Sequence, residues 1–190
     1  MVASIPKEQI ADFNVEVFSG KIKVVNSEIE ANKAVEELSN FQLIGFDTET
    51  KPSFRKGQRN KIALIQLSTE DDCYLFRVNK FGISESLKNL LHDSQIIKIG
   101  LSLKDDFSAM AGRTKSEMLS FIDLQKFVED YGIEDKSLQK IYAILFARRI
   151  SKSQRLSNWE AEELSEAQKM YAAIDAWACL RIYNELKANY

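Results

Sequence analysis

The stretch Leu43-Ile44-Gly45-Phe46-Asp47-Thr48-Glu49-Thr50 decides how the rest of this chain is read. Residues 41–46 form an apolar run suited to a buried strand, and the run ends in the acidic string Asp47-Thr48-Glu49. Along a strand, residues i and i+2 point to one face, so the carboxylates of Asp47 and Glu49 converge at its lip. Two carboxylates in that position repel each other unless a cation lies between them. Hard divalent ions such as Mg²⁺ or Mn²⁺ prefer oxygen ligands and suit that place. A lone Asp-x-Glu is also what a solvated turn after a strand looks like, so the surroundings must decide.

Downstream, residues 62–67 are almost continuously apolar, as expected of a strand covered on both faces. Residues 73–78 follow the acidic turn Glu70-Asp71-Asp72 and read as a further strand. Strands joined this closely predict an antiparallel meander. The pattern then changes to helix over 84–91, strand over 95–99, helix over 103–111 and strand over 118–122, closing on Asp123. Helical spacing takes over at 124–131, 137–146 and 165–188. Upstream, a strand at 21–25 leads into a helix over 27–38, with Asn26 or Ser27 as cap and Glu30 in the first turn. Strand–helix alternation implies parallel strands joined by crossovers. The expected fold is α/β, a mixed five-to-six-stranded sheet flanked by helices. Residues 1–40 read as a strand–helix extension packed on a domain of residues 41–190.

Composition narrows the function classes. The chain has 190 residues, 45% hydrophobic and 28% charged, as in ordinary globular domains. Cys73 and Cys179 stand apart in apolar surroundings, and His92 is the sole histidine, which excludes a zinc site. Neither an apolar leader in residues 1–10 nor an uninterrupted apolar run of membrane-spanning length is present, so a cytoplasmic protein is expected. A net charge of −2 argues against coating polyanions non-specifically, yet it allows a nucleic-acid enzyme whose basic residues gather on one face. No GxGxxG or GxxxxGK[ST] string supports a nucleotide-binding reading.

Two further elements carry acids. Tyr171 and Asp175 are four residues apart in a helical segment and share a face, among the small neighbours Ala172, Ala173 and Ala176. Asp106 follows the strand at 95–99, near the start of the next helix. Acids there commonly complement the helix dipole, and Asp105 does so equally well.

In this order, Asp-x-Glu on a strand, Asp after a later strand and Tyr-x-x-x-Asp on the last long helix resemble the tyrosine variant of the DEDD exonuclease superfamily. The resemblance extends through Ala63-Leu64-Ile65-Gln66-Leu67, Lys98-Ile99-Gly100, Leu156-Ser157-Asn158-Trp159 and Tyr171-Ala172-Ala173-Ile174-Asp175-Ala176. It is similar to the Werner-type exonuclease domain, with ribonuclease D and polymerase proofreading domains as more distant relatives. It implies a ribonuclease H-like fold and a 3′→5′ exonuclease acting on nucleic acid with a free 3′ end, DNA favoured and RNA possible.

The catalytic set implied by the resemblance is Asp47, Glu49, Asp106, Tyr171 and Asp175. The acid matching the family stands seventh when Gly100 is counted first, which selects Asp106 over Asp105. The four carboxylates would hold two divalent cations, Mg²⁺ or Mn²⁺, and Tyr171 would orient the attacking water. The phenol, with an ordinary pKa near 10, is a poor base at neutral pH.

Lys51, Arg55, Lys56, Arg59 and Lys61 surround Phe54 after the acidic strand, and Arg148, Arg149, Lys152 and Arg155 precede Trp159. Basic side chains beside an aromatic suit a single-stranded backbone with a stacked terminal base. Thr48, Phe54, Arg55, Arg59, Lys61, Arg155 and Trp159 are thus the expected substrate-binding residues. Trp159 reads better as a loop-to-helix anchor in the core than as a substrate wedge, and Asp123 as a helix cap rather than a further ligand. A helicase or repair activity is expected to come from a separate partner. The rival readings are a catalytically inactive nucleic-acid-binding module on the same fold, and a protein-interaction domain whose acids are surface features.

Overall fold

The computed structural model describes residues 2–53, 60–110 and 119–190. After a short helix α1 (Lys7–Ala11), strand β1 (Lys21–Val25) runs into helix α2 (Glu28–Leu38). The extended backbone of Ser27 lets its hydroxyl accept the Glu30 N–H, while the Glu30 carboxylate accepts the Asn26 N–H at 2.6 Å. Strands β2 (Leu43–Thr50), β3 (Ile62–Ser68) and β4 (Asp72–Phe76) form the expected antiparallel meander, and β3 is buried at every position. β2 continues past Phe46 through both acids, because β3 stays paired with it as far as Thr50. β4 stops at Phe76, and Val78 instead opens helix α3 (Val78–Phe81).

The rest alternates as the spacing predicts: α4 (Glu85–His92), β5 (Ile97–Gly100), α5 (Leu103–Met110), β6 (Phe121–Asp123) and α6 (Leu124–Phe127). The segment expected as one helix over 124–131 tightens into a 3-10 turn at Val128–Tyr131 and ends where Gly132 adopts φ +76°. Helices α7 (Leu138–Phe146) and α8 (Glu166–Asn189) complete the chain.

The result is one six-stranded sheet in the order β1-β4-β3-β2-β5-β6. β1 lies parallel to β4, and β5 and β6 continue parallel beyond β2. The strand and helix expected within residues 1–40 are therefore an edge strand of this sheet and a helix packed on it. Pleat alternation divides the core in two. Leu64, Leu75 and Ile99 face α7 and α8, while Phe46, Ile65, Leu67 and Phe76 face α2 and α4. Cys73 and Cys179 are buried free thiols. Among the described residues no helix is long and apolar enough to cross a membrane.

Candidate active site

The carboxyl ends of the parallel strands β2, β5 and β6 lie at one edge of the sheet, the place where open α/β sheets gather ligands. β5 pairs only with Leu43–Gly45, so β2 runs on alone on that side and the start of α5 fills the space beside it. Asp47 and Glu49 project from the overhang toward α8; Thr48, on the opposite face, donates its hydroxyl hydrogen to Asp106 Oδ1 on α5. Asp105 is exposed, whereas Asp106 is half-buried against β2, so the tertiary fold separates two acids that are adjacent in sequence.

Helix α8 brings the remaining groups. Its start is set by a capping box: Ser165 Oγ accepts the Gln168 N–H and Gln168 Oε1 accepts the Ser165 N–H. Gln168 Nε2 also donates to the Asn158 carbonyl at 3.2 Å, tying the preceding loop to the helix. Small residues on the sheet-facing side let α8 press onto β2, where a Cβ on Gly45 would lie 2.0 Å from the Ala176 carbonyl oxygen. That close approach sets Asp175 opposite Asp47. One carboxylate oxygen each from Asp47, Glu49 and Asp175 lies within 4.8 Å of the others.

Enclosing several carboxylates without compensating positive charge has an electrostatic cost that favours their neutral forms. Burial, reinforced by the charges of Asp175, Glu49 and Asp106, pushes the Asp47 carboxyl well above the ordinary carboxylate range. Glu49 is pushed up to about 9 by burial and by Asp175 and Asp106, with Arg155 opposing. Burial raises Asp175 to about 7, against the lowering effects of Tyr171 and Lys152. It raises Asp106 to about 6, against the Thr48 hydrogen bond. The Tyr171 phenol is pushed upward by burial and by Asp175, Glu49 and Asp47, so it stays protonated at neutral pH. Oxygens this close together, on acids that resist ionising alone, match the donor set of a small hard cation bound at ~2.1 Å. The residues present therefore fit a divalent ion.

The acids open onto a cleft of about 180 Å³ lined by Asp47, Tyr171, Asp175, Lys152, Arg155 and Ile150, among others. Arg155 is exposed at its mouth, and Lys61 is exposed just before β3. Phe54, Arg55 and Arg59 lie outside the described residues. The expectation that Trp159 contacts substrate is corrected: the side chain is 0% exposed and packs against Tyr171, ring centroids 5.9 Å apart. Its bulk fills the core under the loop and leaves no face for a base. Lys152 was not singled out from the basic stretch, yet it lines the cleft and its charge acts on Asp175. Its position one residue after Ser151 carries no local signal for this; only the packing of the loop on α8 does.

That loop is held from below by Arg77, 1% exposed at the end of β4. Arg77 Nη1 donates to the Glu162 carbonyl at 2.7 Å and Nη2 to that of Ala161. Asp123, at the end of β6, caps α6 through the Gln125 N–H at 2.9 Å, and its charge adds to the upward push on the Asp106 carboxyl.

Comparison with known proteins agrees with this arrangement. The mouse bifunctional 3′-5′ exonuclease/ATP-dependent helicase WRN is 34% identical over 155 residues, covering 78% of this chain and 11% of that protein. An Arabidopsis thaliana 3′-5′ exonuclease is 29% identical over 186 residues, 90% of this chain and 65% of its own length. This chain thus spans only part of these relatives. Among solved structures, the Aedes aegypti Nibbler EXO domain superposes with a TM-score of 0.80 at 23% identity, covering 91% of each chain. Escherichia coli RNase D, an exoribonuclease, gives 0.77 at 22% identity over 88% of this chain and 45% of its own, a likeness of fold. The 3′-5′ exonuclease family model matches residues 22–189, nearly the whole of the sheet and its helices, and the chain belongs to that family.

Proposed function

We propose that this chain is a metal-dependent hydrolase that removes nucleotides one at a time from the 3′ end of a nucleic acid. The observation that carries the reading is the convergence of the Asp47, Glu49 and Asp175 carboxylate oxygens within 4.8 Å, in a setting where each acid resists ionising alone. Asp47, Glu49 and Asp175, with Asp106 across β2, would hold two divalent cations, Mg²⁺ or Mn²⁺. When bound, such ions supply a water of lowered pKa and offset the charge that develops on the departing 3′ oxygen.

The chain's own residues do the rest. Asp47, Glu49 and Asp175 approach from two elements, so the spacing of β2 and α8 sets the site's width. The Tyr171 hydroxyl stays protonated and stands one helical turn from Asp175, where it orients a water by hydrogen bonding and does not abstract its proton. Lys152 and Arg155 at the cleft place positive charge where a phosphodiester backbone would lie. Thr48 holds Asp106 in place through its hydroxyl. Ile150 and Leu101 give the cleft apolar wall against which a terminal base can rest.

The likeness of the motif set to the Werner-type domain supports DNA as the preferred substrate, with RNA as the alternative. We assign the protein to the cytoplasm and propose a helicase or repair protein as a partner. The test uses 5′-labelled single-stranded DNA and RNA oligonucleotides with Mn²⁺, Mg²⁺ or EDTA, beside Asp47→Ala. A ladder shortening from the 3′ end, abolished by EDTA and by the substitution, is the expected result, and its rates rank DNA against RNA. Intact oligonucleotide from folded protein under every metal condition would leave a nucleic-acid-binding module on the same fold.

A further inference from the structure

Helix α5 begins in an unusual way. Its first flanking residue, Ser102, sits at φ +61°, in the left-handed region that non-glycine residues seldom occupy. An ordinary N-cap is extended, so that its own side chain can accept an N–H from the first turn. Ser102 departs from that geometry, and the acceptor comes from another strand. Asp123 Oδ1 accepts the Ser102 N–H at 3.0 Å, and Asp123 Oδ2 accepts the Leu103 N–H at 3.0 Å. The same Oδ1 also accepts the Gln125 N–H that opens α6. One carboxylate thus joins the starts of two helices and the ends of two paired strands, Gly100 and Asp123 being register partners.

Asp106 lies in the first turn of α5, and its carboxylate accepts the hydroxyl hydrogen of Thr48 on β2. The direction in which α5 leaves β5 therefore sets how far the Asp106 carboxylate stands from Asp47 and Glu49. We infer that Asp123 is a positioning residue for the metal site. Its carboxylate caps α5 from outside the helix and so fixes the place of Asp106, without touching a metal ion or substrate. The inference rests on the metal-site reading above and names a residue that reading does not include. Residues that orient metal ligands from behind matter in measurable amounts: their loss typically lowers metal affinity about 10–100-fold.

The test is a double-mutant cycle read by Mn²⁺ affinity, measured by calorimetric titration of the full chain without nucleic acid. Asp123→Ala in the wild-type background is expected to weaken Mn²⁺ binding about tenfold or more. Asp123→Asn keeps a carbonyl oxygen for the Ser102 and Gln125 N–H groups but sets an NH₂ against the Leu103 N–H, so it falls between the two. In an Asp106→Ala background, Asp123→Ala is expected to change Mn²⁺ affinity little further, since the residue it positions has gone. Equal losses in both backgrounds would overturn the inference in favour of general loosening of the fold. So would wild-type affinity in both Asp123 variants, and in that case the exonuclease reading would stand. Should Asp123→Ala not fold, the Asn variant carries the same comparison. A wild-type chain that binds no Mn²⁺ overturns both readings together.

Discussion

Gly45 is where strand β2 and helix α8 meet with no side chain between them, two residues before Asp47 and opposite the turn that carries Asp175. Gly45→Ala would put a Cβ 2.0 Å from the Ala176 carbonyl oxygen and 2.8 Å from its carbon. Both are backbone atoms, so no rotamer change relieves the clash, and the helix has to retreat by roughly 1.4 Å to reach ordinary packing distance. Overpacking of this kind costs about 1–3 kcal/mol. In a domain of this size each kcal/mol lowers Tm by about 2–4 °C, so a fall of roughly 2–12 °C is expected. The same retreat draws Asp175 away from Asp47 and Glu49, whose oxygens lie within 4.8 Å of its own. A misplacement of about 1 Å in a reacting constellation can reduce rate ~100-fold.

The assay pairs thermal unfolding, with and without Mn²⁺, with single-turnover degradation of a 5′-labelled oligonucleotide. Gly82→Ala is the control: Gly82 ends α3 at φ +82° with nothing within 4 Å of an added Cβ, so that change strains the backbone without moving α8. Gly45→Ala should lose both activity and Mn²⁺-induced stabilisation, while Gly82→Ala should lose only stability. Full activity and full Mn²⁺ response in a destabilised Gly45→Ala would refute the idea that this contact sets the width of the site. An unchanged Tm would refute the contact itself.

Asp47→Ala should abolish degradation while the protein stays folded, whereas Tyr171→Phe should be milder, since it removes one oriented hydroxyl and keeps every carboxylate; kcat for both variants decides, and a reversed order would overturn the roles. In EDTA, stability should fall as pH rises from about 4.5 to 7.5, because unfolded carboxylates ionise near pH 4 while the fold holds Asp106 at about 6 and Asp175 at about 7. The stability associated with the protonated acids is complete below the unfolded value and is lost on the way up to the folded ones. A flat or rising Tm across that window in EDTA would contradict the burial reading, and Mn²⁺ should cancel the fall. Arg77→Met should remove charge-assisted bonds worth about 1.5–3 kcal/mol each from the Ala161 and Glu162 carbonyls, lower Tm, and open the 151–164 loop to proteolysis. An unchanged cleavage pattern would show that Trp159 and the Gln168–Asn158 bond hold the loop without Arg77.

Local periodicity was enough for much of this protein. Alternation along a strand puts Asp47 and Glu49 on one face, and a four-residue interval on a helix does the same for Tyr171 and Asp175; both follow from backbone geometry whatever the rest of the chain does. The unbroken apolar run at Ile62–Ser68 announced a central strand because only a strand covered on both faces needs one. Other features depend on neighbours distant in sequence. Asp105 and Asp106 are both acids in a first helical turn; the overhang of β2 beyond β5, which puts Thr48 within reach, makes one of them part of the site and leaves the other in solvent. Trp159 sits in a polar loop, and its burial comes from Tyr171 beneath it. Asp123 reads locally as the cap of α6; that it also caps α5 follows from the register that pairs it with Gly100. Spacing along the chain determines which side chains share a face, because that is set by the dihedral angles of single residues. Which faces meet is decided by the packing of whole elements, and only the tertiary structure contains it.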